Sequence, residues 1–245
     1  MNNAIEVTSL SKSFNKKASP AVHDISFSIK QGEVCGILGI NGAGKTTLLR
    51  MIATILRPTS GSCSVLGYDV VKESAEIRSK TGVLFGADSG LYERLTGREN
   101  ILYFAEMNGI PRDTAATQLH KISSLLSMES YLDARCRTYS HGMKQKTALT
   151  RSIIHDPPVL LLDEPVTGLD IHASQVIYSL IRKWKDEQKT VLYSGHDIPA
   201  ITSFCDSIIM IHGGMMIESG SPESIQNRYS RPLQDVFLHL TGGTI

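Results

Sequence analysis

The stretch Gly39-Ile40-Asn41-Gly42-Ala43-Gly44-Lys45-Thr46-Thr47 limits the fold of this chain more than any other. It follows the apolar run Val34 to Leu38 and leads into Leu48, Leu49, Met51 and Ile52, so it joins a buried strand to a helix. Glycines at 39, 42 and 44 let the backbone curl until successive N–H groups point inward. The helix that follows offers its positive end to the same point, which makes a cradle for phosphate oxygens. In that context the stretch reads as a P-loop. Asn41, Gly42, Ala43 and Gly44 would line the phosphates, Lys45 would reach the β- and γ-phosphates, Thr46 would place its hydroxyl on Mg²⁺, and Thr47 would lie near the α-phosphate. Many classes of nucleotide-using machine share such a loop, so it does not choose among them.

Composition removes some of those classes. At 245 residues the chain is long enough for one large α/β domain with an inserted subdomain. A formal charge of +1 with 20% charged residues gives no field strong enough to imply nucleic acid or an anionic membrane by itself. Cys35, Cys63, Cys136 and Cys205 form no paired motif and have mostly apolar neighbours, which suits reduced thiols rather than a zinc site. The first residues show no basic segment followed by an apolar core, and no run approaches the length of a membrane span. The expectation is a cytoplasmic protein that reaches a membrane only through a separate partner.

Periodicity gives the order of elements. Ala4 to Leu10 and Ala21 to Ile29 read as alternating strands of a small β layer, with Phe14 between them as either a minor core residue or an exposed aromatic. Cys63 to Gly67 reads as a short strand, Glu73 to Arg78 as a helix, and Thr81 to Phe85 as a strand. From Leu91 to about Met128 the pattern turns helical. Thr96 caps one helix and Pro111 starts another, as in an inserted helical subdomain. The run Val159 to Leu162 is a strand buried on both faces, Ile171 to Lys185 a helix, and Thr190 to Ser194 a further strand. Ile208 to Ile211 and Met215 to Ile217 form a hairpin at Gly213-Gly214. Alternating strands and helices imply a mostly parallel sheet with its site at the carboxyl ends of the strands.

Two further stretches carry chemistry. Asp163 and Glu164 end the buried strand beside the P-loop. There Asp163 suits a Mg²⁺ ligand, directly or through water, and Glu164 suits polarisation of a water aimed at the γ-phosphate. Tyr139-Ser140-His141-Gly142-Met143-Lys144-Gln145 leads into a helix through Ala148, Leu149, Ile153 and Ile154, so Ser140 and Gly142 stand near a helix N-terminus able to bind an anion.

The set of Gly39 to Thr47, Ser140 to Met143, Leu160 to Pro165, Gly168-Leu169-Asp170 and His196 resembles, in order and spacing, the nucleotide-binding subunits of ABC transporters over essentially the whole chain. The resemblance implies an ATPase with ATP and Mg²⁺ as cofactors, in which two copies face head to tail. The P-loop of one and the Ser140 stretch of the other then close on the same ATP. It further implies that Phe14 stacks on adenine, that Ser140 and Gly142 touch the γ-phosphate of the other copy, and that Asp170 crosses the interface. His196 would sense the γ-phosphate and steady Glu164. As a lone strand-end residue, His196 would otherwise be a satisfied polar group.

The chain departs from the family pattern at three places. The usual glutamine after the strand Thr81 to Phe85 is replaced by Gly86-Ala87-Asp88-Ser89-Gly90, where Asp88 or Ser89 could supply a metal-binding oxygen or the backbone could take over. The common Leu-Ser-Gly-Gly-Gln form is altered so that a ring stands at His141, and Ile40 takes the place of a usual proline. Together with Gly90 to Asn100 and the tail Leu233 to Gly242, these features resemble the bacterial ABC-2-type exporter branch of daunorubicin-type drug exporters and NatA-like sodium exporters. The tail itself reads as an amphipathic helix packed on the domain. The expected organisation is a P-loop core with its β layer over 1–87 and 156–220, a helical subdomain over 88–155 and a helical tail over 221–245. The expected role is the ATP-hydrolysing subunit of an exporter of sodium or a drug-like molecule, held peripherally at the cytoplasmic face of the membrane by a separate permease. The alternative is a cytosolic ATPase of the same type working on nucleic acid or ribosomes. Such a protein would be expected to carry a second nucleotide domain, a long coiled coil or a basic patch.

Overall fold

A computed structural model describes residues 2–15, 19–86 and 90–242. The chain opens with β1 (Asn3–Lys12), β2 (Val22–Lys30) and β3 (Val34–Leu38). The first two alternate as expected, but each carries a left-handed residue, Ser9 at φ 47° and Asp24 at φ 49°. In β1 the pairing register shifts between Val7 and Leu10. A bulge there resets the phase, so that Leu10 turns back into the core after the exposed pair Thr8 and Ser9. α1 (Lys45–Ile52) is followed by β4 (Ser60–Val65) and β5 (Tyr68–Asp69). The strand expected at Cys63 to Gly67 ends early because Leu66 (φ 52°) and Gly67 (φ 84°) form a two-residue hairpin turn with both central residues left-handed. β1, β2, β4 and β5 make a four-stranded antiparallel sheet in the order β2-β1-β4-β5.

α2 (Ser74–Lys80) and β6 (Thr81–Phe85) lead into the helical stretch of α3 (Gly97–Met107), α4 (Arg112–Leu125), a single 3₁₀ turn at Cys136–Thr138 and α5 (His141–Ile153). α3 starts where the sequence places it: Thr96 accepts from the Glu99 N–H while the Glu99 side chain accepts from the Thr96 N–H, a reciprocal cap. β7 (Val159–Asp163), α6 (Ile171–Asp186), β8 (Thr190–Gly195), α7 (Ile198–Phe204), β9 (Ser207–His212) and β10 (Met215–Gly220) follow, then α8 (Pro222–Tyr229) and α9 (Leu233–Leu240). α7 has too few turns to show a hydrophobic period; its local signal is Asp197, which accepts from the Ala200 N–H as its cap.

The main sheet has the order β10-β9-β3-β8-β7-β6, parallel except for the antiparallel edge strand β10. Every residue of β3, β7 and β8 is buried, as strands covered on both faces require. One apolar cluster, with Ile5, Leu10, Ile25, Ile37, Leu48 and Leu161, joins the antiparallel sheet and α1 to one face. A second cluster, with Ile101, Leu119, Leu149, Leu162, Ile181 and Ile201, covers the other face with helices. α9 behaves as the tail pattern predicts: Leu233 and Val236 are buried in that second cluster. Ahead of it, Glu218 accepts from Arg228 at 2.6 Å and from the Tyr229 hydroxyl at 2.9 Å, which pins α8 to β10. Among the described residues no helix is long and apolar enough to cross a membrane.

All four cysteines are free and buried. Burial pushes the Cys35 and Cys63 thiols up to about 12 and raises those of Cys136 and Cys205, so near-neutral solution holds them as unreactive thiols. Titration of the native protein with a thiol reagent at pH 8 is therefore expected to label none of the four within minutes, and denaturant is expected to release all four. Rapid labelling of the folded protein would contradict this packing.

Candidate functional site

The site is built where β3, β7 and β8 end side by side. Their parallel register sets Leu38 opposite Gly195 and Asp163 opposite Ser194. Residues 39 to 44 leave β3 and turn into α1 through Gly44, whose φ of 109° and approach to the Ala21 carbonyl, 2.5 Å from where a Cβ would stand, admit glycine alone. Asn41 and Gly42 are exposed, Ala43 is buried, and Thr46 and Thr47 are half-buried in the first turn of the helix. Lys45 is 5% exposed, and its ammonium donates to the Gly39 carbonyl at 2.7 Å and to Ile40 at 3.2 Å. It also lies 3.8 Å from Glu164 Oε1. A buried ammonium held this way across a loop is poised for an anion.

Asp163 is buried as well. Its Oδ2 accepts from Thr46 Oγ1 at 2.7 Å and its Oδ1 from Ser194 Oγ at 2.5 Å. Glu164 follows with φ 49°, a left-handed backbone that costs a non-glycine residue about 1–2 kcal/mol. Its N–H is directed at both the carbonyl and the hydroxyl of Ser194, each at 3.1 Å, and that bonding offsets the strain. The Glu164 side chain is thereby turned away from Asp163: Oε1 faces Lys45 and Oε2 accepts from Thr167 Oγ1 at 3.2 Å. A hypothetical Cβ on Gly86 would lie 3.0 Å from the Asp163 carbonyl, so the chain after β6 runs close against this strand end. Arg151 donates to the Gly90 carbonyl at 2.6 Å. Asp88, the candidate metal ligand, and Ser89 lie outside the described residues.

Ser140 caps α5, accepting from the Met143 N–H at 3.3 Å. It is exposed and Gly142 half-buried, next to Leu169. Asp170 caps α6 by accepting from Ala173 N–H at 2.8 Å, and that bond holds its carboxyl below the usual carboxylate range. His196 is exposed at a cavity of about 300 Å³ that Glu164, Thr167 and Gly168 also line. Phe14 is 69% exposed, with Lys12 Nζ 5.4 Å from its ring centre, which removes the core reading of this aromatic.

A family model described as "ABC transporter" matches residues 22–167. The chain is 44% identical over 237 residues to the ABC transporter ATP-binding protein NatA of Bacillus subtilis, covering 96% of each. This protein belongs to the ABC transporter family. It is also 32% identical to the doxorubicin resistance ATP-binding protein DrrA of Mycobacterium tuberculosis, over 92% of this chain and 68% of that one. A solved ATP-binding subunit of an ABC transporter superposes with a TM-score of 0.88 at 26% identity, over 97% of this chain and 99% of that one. The family domain binds and hydrolyses ATP, and the relatives fall in the exporter branch.

For an ABC ATPase the structure adds three residues to those read from the sequence. Ser194 joins the Asp163 carboxylate to the Glu164 backbone, Thr167 bonds the Glu164 side chain, and buried Gln145 donates to the Pro165 carbonyl at 3.1 Å. Ser194 was legible only as the last polar residue of a buried strand; Gln145 was assigned no role because its partner is 20 residues away, and Thr167 none because its bond to Glu164 depends on the left-handed turn between them. Ser194→Ala removes a donor to a charged group, worth about 1.5–3 kcal/mol. ATP turnover is expected to fall roughly 10- to 100-fold by that energy. A steady-state ATPase assay on the folded variant checks it, and full activity would remove Ser194 from the site.

Proposed function

We propose that this chain is the ATP-hydrolysing subunit of an ABC exporter, acting as a head-to-tail pair with a second copy beneath a separate membrane permease. The observation that carries the reading is the joined set of Lys45 and Thr46 in the first turn of α1 with Asp163 and Glu164 at the end of β7. Lys45 and the amides of Asn41 to Thr47 bind the phosphates of ATP. Thr46 and Asp163 offer two hard oxygens 2.7 Å apart, a donor set that fits Mg²⁺, which keeps several waters and takes few protein ligands. When bound, that ion neutralises phosphate charge. Ser194 keeps Asp163 oriented as the ligand. Glu164 accepts the proton of the attacking water, its orientation set by Thr167 and the left-handed turn.

In the same reading, exposed Phe14 stacks on adenine and His196, at the cavity beside Glu164, contacts the γ-phosphate. Ser140 and Gly142 complete the site of the second copy. Their same-chain neighbours are Met143 and Leu169, and a helix N-terminus exposed on the surface suits a phosphate delivered by another molecule. Asp170, exposed beside them, crosses to that copy. Residues 1–87 and 156–220 form the core, 88–155 the helical subdomain and 221–245 the tail. The protein works at the cytoplasmic face of the membrane, and the cargo class is sodium or a drug-like molecule. The named relatives, a NatA protein and a doxorubicin resistance protein, favour export over action on nucleic acid or ribosomes.

Glu164→Gln is expected to lower turnover by roughly 10²- to 10⁴-fold, the contribution of a positioned base. It should still bind ATP and elute as an ATP-dependent dimer in size-exclusion chromatography; turnover at the wild-type rate removes Glu164 as the base. Lys45→Ala is expected to abolish high-affinity ATP binding, measured with a fluorescent nucleotide. Extraction of tagged protein from membranes in mild detergent is expected to recover an integral membrane subunit in stoichiometric amount, and recovery without one counts against the exporter role.

A further inference from the structure

His141 is the position at which this chain puts a ring where the family commonly has glycine, and the structure gives that ring a place. Its Nε2 lies 3.2 Å from the Thr167 carbonyl. A carbonyl only accepts, so the ring carries its proton on Nε2. Directly beneath, Gly168 has φ +77°, and a Cβ there would come within 2.4 Å of the imidazole Cδ2. Any other residue at 168 would displace the ring. One helical turn further along α5, Gln145 donates to the carbonyl of Pro165. Residues 141 and 145 share a helix face, so the first turn of α5 grips the segment after β7 at two points.

That segment is also bonded to Glu164. The Thr167 N–H donates to the Glu164 carbonyl at 3.2 Å and the Thr167 hydroxyl to Glu164 Oε2 at 3.2 Å. A continuous path therefore runs from His141, between Ser140 and Gly142, through Thr167 to the carboxylate of Glu164.

We propose that His141 is a positioning residue that ties the loop serving the ATP of the second copy to the water-activating carboxylate of its own site. The inference rests on the head-to-tail reading above. Closure of Ser140 to Gly142 over the other copy's phosphate draws on the ring, the ring holds Thr167, and Thr167 sets the Glu164 carboxylate. The His141 ring is exposed, so its bond competes with water in the free chain; a closing interface excludes that water and strengthens the bond. The two hydrolysis sites are thereby coupled through side chains of one chain.

The test compares His141→Ala and His141→Gln with the wild type in the dimer-forming protein. The glutamine amide can donate to a carbonyl in place of the imidazole N–H, whereas alanine cannot. The alanine variant is expected to lose ~3- to 10-fold in kcat, the size of one neutral hydrogen bond, with the KM for ATP within about twofold and the Hill coefficient of turnover lowered toward one. ADP affinity, a property of the chain's own P-loop, should not move, and glutamine should restore most of the rate. Thr167→Val should give a similar loss, and the double variant His141→Ala/Thr167→Val should lose no more than the larger single loss, because both cut one path. Wild-type kcat and Hill coefficient in the alanine variant, or losses that multiply in the double variant, overturn the proposal. Should alanine prevent folding, His141→Asn, whose amide stops short of Thr167, is compared with His141→Gln, and equal rates for the two overturn it as well. Absence of an ATP-dependent dimer of Glu164→Gln on size-exclusion chromatography would instead defeat the underlying head-to-tail reading, so the two failures are distinct.

Discussion

The pair of hydrogen bonds on the Asp163 carboxylate is the interaction on which the rest of the site depends. Asp163 sits at the end of a strand buried along its whole length, where an unpartnered charge would be expensive. Thr46 satisfies one oxygen and Ser194 the other, so one side chain ties the ends of β7 and β8 to the first turn of α1. The P-loop, the carboxylate pair and the approach to His196 are held in one register by that arrangement, while the parallel ladders fix their depth.

Glu164 shows how the same ties direct chemistry. An extended residue here would continue the strand and carry its side chain on with it. The left-handed turn breaks the strand after Asp163, and its strain is offset by the N–H directed at Ser194. Asp163 and Glu164 are neighbours in sequence, yet one meets the hydroxyls of Thr46 and Ser194 and the other faces Lys45 and Thr167. Two carboxylates thus acquire different partners from their backbone geometry. Gln145 and His141 then bind the chain beyond Glu164 to α5, which makes the turn at Glu164 and the Ser140 loop parts of one assembly.

Much of this was legible in the amino-acid order because it is local. Gly39 to Thr47 carries its own curvature, Thr96 and Glu99 form a cap within four residues, and the apolar run of β7 is unbroken. The strands with bulges at Ser9 and Asp24, the hairpin turn at Leu66, and α7 were less legible, since each depends on a single backbone conformation or on too few residues to show a period. Phe14 stood open between core and surface in the sequence, and its exposure decided it.

The sequence by itself determined the strand–loop–helix with the pattern of a P-loop, the acidic strand end, the helix N-terminus at Ser140 and the family to which they belong. Only the tertiary structure decided how they are joined. Asp163 meets Ser194 across 31 residues, Gln145 meets Pro165 across 20, and His141 meets Thr167 across 26. Such contacts leave no periodic or motif signature, because hydrogen bonding between distant segments is set by sheet register and helix packing rather than by the spacing of residues along the chain.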